Sequence, residues 1–287
     1  MTARPVLAAI DGSPTSLAAA RWAAAEAQCR GAALRLVHVW PRTVGIYLEQ
    51  LRDEGDALLS RAQEEISGRY PELEVDTVLL GASPVDGLLE AAREGQLLVL
   101  GTRGLGGFTG LLVGSVSLAV AGRSPIPVVV VRPDVDGDSA EGTSRAGDVV
   151  VGVGPGEAAD ELLEFAFTRA QDRGARLVAV HGWNLPALWA TPGTIVPPID
   201  SETLENAARA HLVQTLRPWQ DKYPQVSVVV RLDGAGPAKA VVDASERAEM
   251  LVIGRRARKH APGGHLGFTA HAALHHAHAP VVVVPHP

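Results

Sequence analysis

The chain has a single cysteine, Cys29, among 287 residues. It cannot close a disulfide on itself, which fits a reducing compartment. Cys29 lies in an Ala-rich stretch and reads as an inert residue on a packed helix face. Aromatic residues make up only 4%, so the cores must be aliphatic. There is no basic excess: the formal net charge is −6, which argues against the clustered positive surface that nucleic acid requires. No apolar run is long enough to cross a bilayer. The longest weakly polar stretch, Leu111 to Gly122, is short and broken by glycine and serine. The first ten residues, Met1 to Ile10, are too short and too soon followed by Asp11 to serve as a signal peptide. A soluble, cytoplasmic protein is expected, with neither nucleic acid nor membrane as partner. The common phosphate-binding signatures are also missing. There is no Gly-x-x-x-x-Gly-Lys-Ser/Thr, and Gly152-Val-Gly-Pro-Gly156 has its third glycine misplaced and is stiffened by Pro155.

What is abundant is Ala, Val, Leu and Gly, within a hydrophobic content of 46%. The length is generous for one core and comfortable for two. The sequence repeats itself. Gly31-Ala-Ala-Leu-Arg-Leu-Val-His-Val-Trp40 lies over Gly174-Ala-Arg-Leu-Val-Ala-Val-His-Gly-Trp183 at an offset of 143. Further on, Gly81-Ala-Ser-Pro84 matches Gly234-Ala-Gly-Pro237, Leu98–Gly101 matches Leu251–Gly254, and Ile126–Val131 matches Ala279–Val284, all at an offset of 153. The ten additional residues belong to the proline-rich segment Pro186 to Asp200, which can be neither helix nor central strand. A polar, Gly/Ser-rich segment separates the repeats, giving domains at 1–132 and 148–287 joined by a linker at 133–147.

Short apolar runs bounded by glycine or proline predict strands over Val6–Ile10, Leu34–Val39, Val75–Leu80, Leu97–Leu100 and Val128–Val131. Helical spacing predicts helices over Ser16–Arg30, Asp53–Arg69, Pro84–Glu94 and Gly114–Gly122. Ser13-Pro14 suits a helix start, and Gly31 and Gly95 suit left-handed helix ends. Strands alternating with helices imply right-handed crossovers and a mostly parallel five-stranded sheet in each repeat, covered by helices on both faces. The apolar final strands, Val128–Val131 and Val281–Val284, would be a liability as bare edges.

In such sheets ligands bind beyond the carboxyl ends of the strands, where the strand order reverses. Two segments of the first repeat stand there. Asp11-Gly12-Ser13 follows the first strand; its carboxylate can meet a ribose hydroxyl or help to hold Mg²⁺, although Asp-Gly-Ser is also an ordinary turn and cap. Gly101-Thr-Arg-Gly104 follows the fourth strand, and nine residues later Gly114-Ser115-Val116-Ser117 opens a helix. Glycine admits a ligand close to the backbone, Gly106–Gly110 prolongs a pliable loop, and the amides of the helix start form an anion site. Arg103 can reach phosphate oxygens, or simply be solvated.

Asp11-Gly-Ser13, Gly101-x-x-Gly104-(nine residues)-Gly114-Ser115 and the closing Pro127–Val131 together resemble the universal stress protein family. The resemblance covers nearly the whole chain, once per repeat, as in the family's two-domain members. It implies an α/β fold of the Rossmann-like, adenine-nucleotide α-hydrolase-like kind, and ATP as ligand of the first repeat. By the same resemblance Ala9, Ile10 and Asp11 lie against ribose and base, Val39 meets adenine through its backbone, and Leu100 lines the base pocket. Gly101, Arg103, Gly104, Gly114, Ser115, Val116 and Ser117 surround the phosphates. Trp40 either stacks on adenine or packs. Family members pair through the last strand, so the two repeats are expected to pair there within the chain, with a homodimer left open.

The second repeat departs from the pattern. Gly154 replaces Asp11, Ala257 replaces Gly104, Gly182 replaces Val39, and Phe268 stands where the first repeat has Ser115, its ring expected to point toward the phosphate position. Poor ATP binding is expected in this half, with Arg255, Arg256, Arg258 and Lys259 read as a solvated charged loop. The histidines His260, His265, His271, His275, His276, His278 and His286 crowd the end, and His271 and His275 share a helix face at a spacing that can chelate a metal. With no Cys or carboxylate nearby, a solvated face is the stronger reading. Function then divides three ways: a nucleotide-responsive binding protein of stress or growth arrest acting on an unidentified protein partner; a slow Mg-dependent ATP hydrolase or phosphotransferase; or a purely structural protein. The first is favoured, because Asp11 is the only motif carboxylate and no base stands in the loop to orient water.

Overall fold

The computed structural model describes residues 3–41, 48–104, 112–132, 147–154, 159–183, 201–256 and 266–287. The Gly106–Gly110 stretch, residues 133–146 of the linker, the proline-rich insertion, Ala257, Arg258, Lys259, His260 and His265 lie outside the described residues.

The first repeat runs β1 (Val6–Ala9), α1 (Pro14–Arg30), β2 (Leu34–Trp40), α2 (Leu48–Arg69), β3 (Val75–Gly81), α3 (Pro84–Ala92), β4 (Leu97–Gly101), α4 (Ser115–Arg123) and β5 (Val128–Val131). The second runs β6 (Asp148–Gly152), α5 (Asp160–Arg173), β7 (Leu177–Gly182), α6 (Ser201–Lys222), β8 (Val228–Asp233), α7 (Pro237–Ala244), β9 (Ala248–Arg256), α8 (Phe268–His276) and β10 (Val281–His286). The Ser13 hydroxyl accepts from the Ser16 amide at 3.2 Å to cap α1, and Pro14 occupies its first turn. Gly31 ends α1 with φ 59°.

Ten strands form one sheet in the order β3-β2-β1-β4-β5-β10-β9-β6-β7-β8. Neighbours are parallel within each half, and β5 and β10 join antiparallel through Val130–Val281, Val129–Val282 and Val128–Val283. The apolar edge strands thus cover one another. The central pair is self-equivalent, since Val129 plus the repeat offset of 153 is Val282. A pseudo-two-fold axis therefore passes through it.

Alternate strand residues feed two cores, as a pleated sheet buried on both faces requires. Val6, Ala8, Leu34, Leu36, Val99 and Val129 pack under α1 and α2, continuous with Val151, Phe167 and Leu216 of the second repeat. Leu7, Val37, Leu98, Leu100 and Val130 face α3 and α4, continuous with Val241, Ala273 and Val283. Two arginines cross between the repeats on this second face. Arg132 donates through Nη2 to the Leu274 carbonyl in the last turn of α8 at 2.8 Å, and Arg255 to the Ser124 carbonyl after α4 at 2.6 Å. Each supplies a donor at a helix end whose carbonyls lack intrahelical partners.

Three local expectations need correction. Helix α2 begins at Leu48 rather than Asp53, because Leu-Glu-Gln-Leu-Arg contains no stop signal. Gly95 is not among the positive-φ glycines; its smallness serves Leu7, whose Cδ1 would lie 2.6 Å from a Cβ there. Cys29 is exposed, near the solvent-facing end of α1, rather than packed.

Candidate functional site

Between β1 and β4 the chain order reverses, and the crevice opens at their carboxyl ends. β1 stops at Ala9, and the Ile10 amide still donates to the Val37 carbonyl at 2.8 Å. The Nδ1–H of His38 then donates to the Ile10 carbonyl at 2.6 Å, fixing the backbone that leads into Asp11. Gly12 turns the chain with φ 85°. Asp11 Oδ1 accepts from the Ser13 amide at 3.0 Å and from the Ser13 hydroxyl at 2.6 Å, so the carboxylate is held in an Asx turn against the start of α1.

The second wall is the end of β4. Gly101 is the last strand residue, and a Cβ on it would lie 2.8 Å from the Thr15 backbone. Thr102 is buried, with its amide donating to the Val131 carbonyl at 3.0 Å, and its own carbonyl accepts from the Gly114 amide at 2.6 Å. That bond pins together the two ends of the glycine-rich segment. The Arg103 carbonyl accepts from the Thr15 hydroxyl, and the Arg103 side chain is exposed. A Cβ on Gly104 would fall inside the contact distance of Asp11 Oδ2. The two sequence motifs therefore touch, and the glycine at 104 is required by the carboxylate at 11.

Helix α4 opens from Gly114 with no side-chain cap, unlike α1 and α3, which Ser13 and Ser83 cap. Its first-turn amides, at Ser115, Val116 and Ser117, have no intrahelical acceptors and carry the positive end of the helix dipole. Ser115 is exposed beside them. The Ser117 hydroxyl donates to the Gly101 carbonyl at 2.8 Å and is a strut between α4 and β4.

On the other side of the crevice, the β1–β2 ladder ends at Ala9–Val37 while β2 continues to Trp40, paired there only with β3. The Val37 carbonyl points to β1, and Val39, two residues on, presents its backbone to the same side with no strand covering it. The Val39 side chain packs on α3, where a Cβ at Gly87 would lie 2.7 Å from its Cγ1. Leu100 is 3% exposed in the same core. Sequence reasoning overlooked Thr15, Thr102 and His38 here; of these only His38 left a signal, since it recurs as His181 at the repeat offset.

The corresponding place in the second repeat is built differently. His181 repeats the strap, its Nδ1 bonding the Val153 carbonyl at 2.9 Å, but Gly154 offers no carboxylate. β9 does not stop at Gly254: it pairs on through Arg255–Pro285 and Arg256–His286. His286 lies over Gly254, where a Cβ would be 2.9 Å from its Nε2, and Leu162 closes in at 3.4 Å. At Gly182 a Cβ would lie 2.5 Å from Pro237 Cα, so α7 presses on the position where the first repeat has Val39.

Two expectations are thereby corrected. Phe268 is 83% exposed at the start of α8, so its ring does not turn inward; the close neighbours are His286 at Gly254 and α7 at Gly182. Arg255 belongs to a strand and is buried, not solvated, whereas Arg256 is exposed. His271 and His275 stack at 4.5 Å between ring centroids, yet no group of three candidate metal ligands occurs among the described residues. Burial, then His271, His276 and Arg132, push the His275 imidazole below its ordinary value. No helix among the described residues is long and apolar enough to cross a membrane.

The universal stress protein family model matches residues 2–132 and again 147–285. The chain is 31% identical over 293 residues to a universal stress protein of Mycobacterium tuberculosis, covering 97% of this chain and 96% of that one. It is 32% identical to another from Mycolicibacterium smegmatis at the same coverage. Its fold resembles that of a universal stress protein from Archaeoglobus fulgidus, with a TM-score of 0.71, 17% identity and 99% of both chains covered. With the sheet order and the family model each repeated along one chain, the protein belongs to the universal stress protein family as a tandem member.

Proposed function

We propose that the first repeat binds ATP in the crevice between β1 and β4 and that the second repeat binds none. The observation that carries this reading is the contact of Asp11 with Gly104 beside a helix start that no side chain caps. The phosphates would lie on the first-turn amides of Ser115, Val116 and Ser117, flanked by Gly101, Arg103, Gly104 and Gly114. The ribose would meet Asp11 beside Ala9 and Ile10, and the adenine edge the uncovered Val39 backbone near Leu100. Mg²⁺ would be held mainly by the phosphates, with Asp11 the one motif carboxylate to assist. Occupancy changes the surface around Arg103 and Ser115, and a protein partner in stress or growth arrest reads that state, provided its affinity differs between the two forms.

Calorimetric titration tests this. One ATP per chain is expected, lost in Asp11→Ala and Gly114→Glu and unchanged in Gly154→Asp. Two per chain would overturn the reading of the second repeat, and none would end the nucleotide reading. Turnover above about 1 s⁻¹ in a single-turnover assay with Mg·ATP would favour an enzyme instead.

A further inference from the structure

Glu26 is 0% exposed in an alanine-rich helix, and three guanidinium groups reach it. Oε1 accepts from Arg30 Nε at 2.6 Å and from Arg169 Nη1 at 3.0 Å; Oε2 accepts from Arg173 Nη2 at 2.5 Å. Arg30 belongs to α1, and Arg169 and Arg173 to α5 of the other repeat. Arg169 also bonds Asp172, Arg173 bonds Glu249, and Arg30 Nη1 donates to Gln96 at 3.1 Å. Burial would push the Glu26 carboxyl up; Arg30, Arg173 and Arg169 outweigh it and hold it below its ordinary value.

The repeat offset relates these residues to one another. Glu26 plus 143 is Arg169, and Arg30 plus 143 is Arg173. At offset 153, Gln96 corresponds to Glu249. Equivalent positions of the two repeats thus meet across the pseudo-two-fold axis, as they do at Val129–Val282, but Glu26 and Arg169 carry opposite charges. Were two first repeats to pair in the same way, Glu26 would lose its bond to Arg169 and meet a second Glu26 there, with only the two Arg30 guanidiniums to balance the pair. Two second repeats would oppose Arg169 to Arg169. Buried like charges at such range are strongly disfavoured, and breaking a buried pair costs far more than an exposed one.

We infer that the α1–α5 seam is directional: Glu26 makes the first repeat fit a universal-stress-type repeat presenting an arginine at the position of Arg169 better than a second copy of itself, which would set a carboxylate there. The valine edges are interchangeable; the buried charges decide which halves close together. The chain is thereby committed to pairing one intact crevice with one closed one.

Pseudo-symmetry supplies the test. In the full-length chain, Glu26→Arg sets four arginines together and Arg169→Glu sets two carboxylates together. The double exchange maps the four central residues onto their own image, though not their outer partners Gln96, Asp172 and Glu249: the carboxylate moved to position 169 is reached by Arg173, by Arg30 and by the guanidinium moved to position 26. Each single variant is expected to lower the Tm by about 10 °C or to prevent folding. The double variant is expected to regain more than half of that loss. Singles that shift the Tm by less than about 2 °C, or a double variant no better than the worse single, would overturn the inference.

Discussion

The carboxyl ends of β4 and β9 occupy equivalent places in one continuous sheet and have opposite characters. β4 ends at Gly101, and the chain leaves the sheet to pass over Asp11; β9 continues to Arg256 because β10 runs on to His286 beside it. In the first repeat, backbone groups beyond the last pairing face a crevice. In the second, the same groups bond to a neighbouring strand and a histidine ring covers them. Both ends keep the same strap, His38 to Ile10 and His181 to Val153. What separates the two ends is where strand pairing stops.

Gly104→Val gives the largest expected effect on that contrast. The side chain must displace Asp11 or lift the segment off it, and ATP affinity should fall about 100-fold with little change in Tm, measured by titration and thermal unfolding of the same sample. An unchanged affinity would show that the Asp11–Gly104 contact is not part of the pocket. Gly182→Val comes next. It installs the residue that the first repeat carries at Val39, but against the backbone of α7, at a cost of about 1–3 kcal/mol. A Tm several degrees lower with ATP binding intact would sharpen the comparison; an unchanged Tm would mean that α7 is free to retreat and the closure is soft.

The smallest effect concerns α8, where His275 stands at the position of Gly122 in α4. Its folded value lies below the ordinary 6.5, so the folded state binds protons less readily than the unfolded chain. Stability from this source is present above about pH 6.5 and is lost as pH falls from there through the folded value. The drop in Tm between pH 7.5 and pH 5 should therefore be smaller in His275→Asn than in the parent, and equal drops would refute the assignment.

Much of the architecture was legible because the chain states it twice. Strands bounded by glycine or proline recurred at fixed offsets, and bare valine edges needed a partner, which they find in each other. Three of the misreadings share a cause: each residue's role was set by something distant in sequence. Gly95 could be read as a helix cap because nothing local reveals Leu7 beneath it. Arg255 could be read as a loop residue because its strand is prolonged by His286. Glu26 escaped notice although the offset already placed it over Arg169, since a charge on a helix is usually solvated. Within the crevice, Asp11 and the glycines announced themselves, whereas Thr15 and Thr102 act through carbonyls of the neighbouring segment, which no motif encodes.

The crossing arginines carry a last consequence. Helix α4 begins at the crevice and ends in the grip of Arg255, so its two termini answer to different halves of the molecule. A chain cut after residue 132 would forfeit that anchor and leave Val128–Val131 unsheathed. The second repeat is thus the splint on which the first is set.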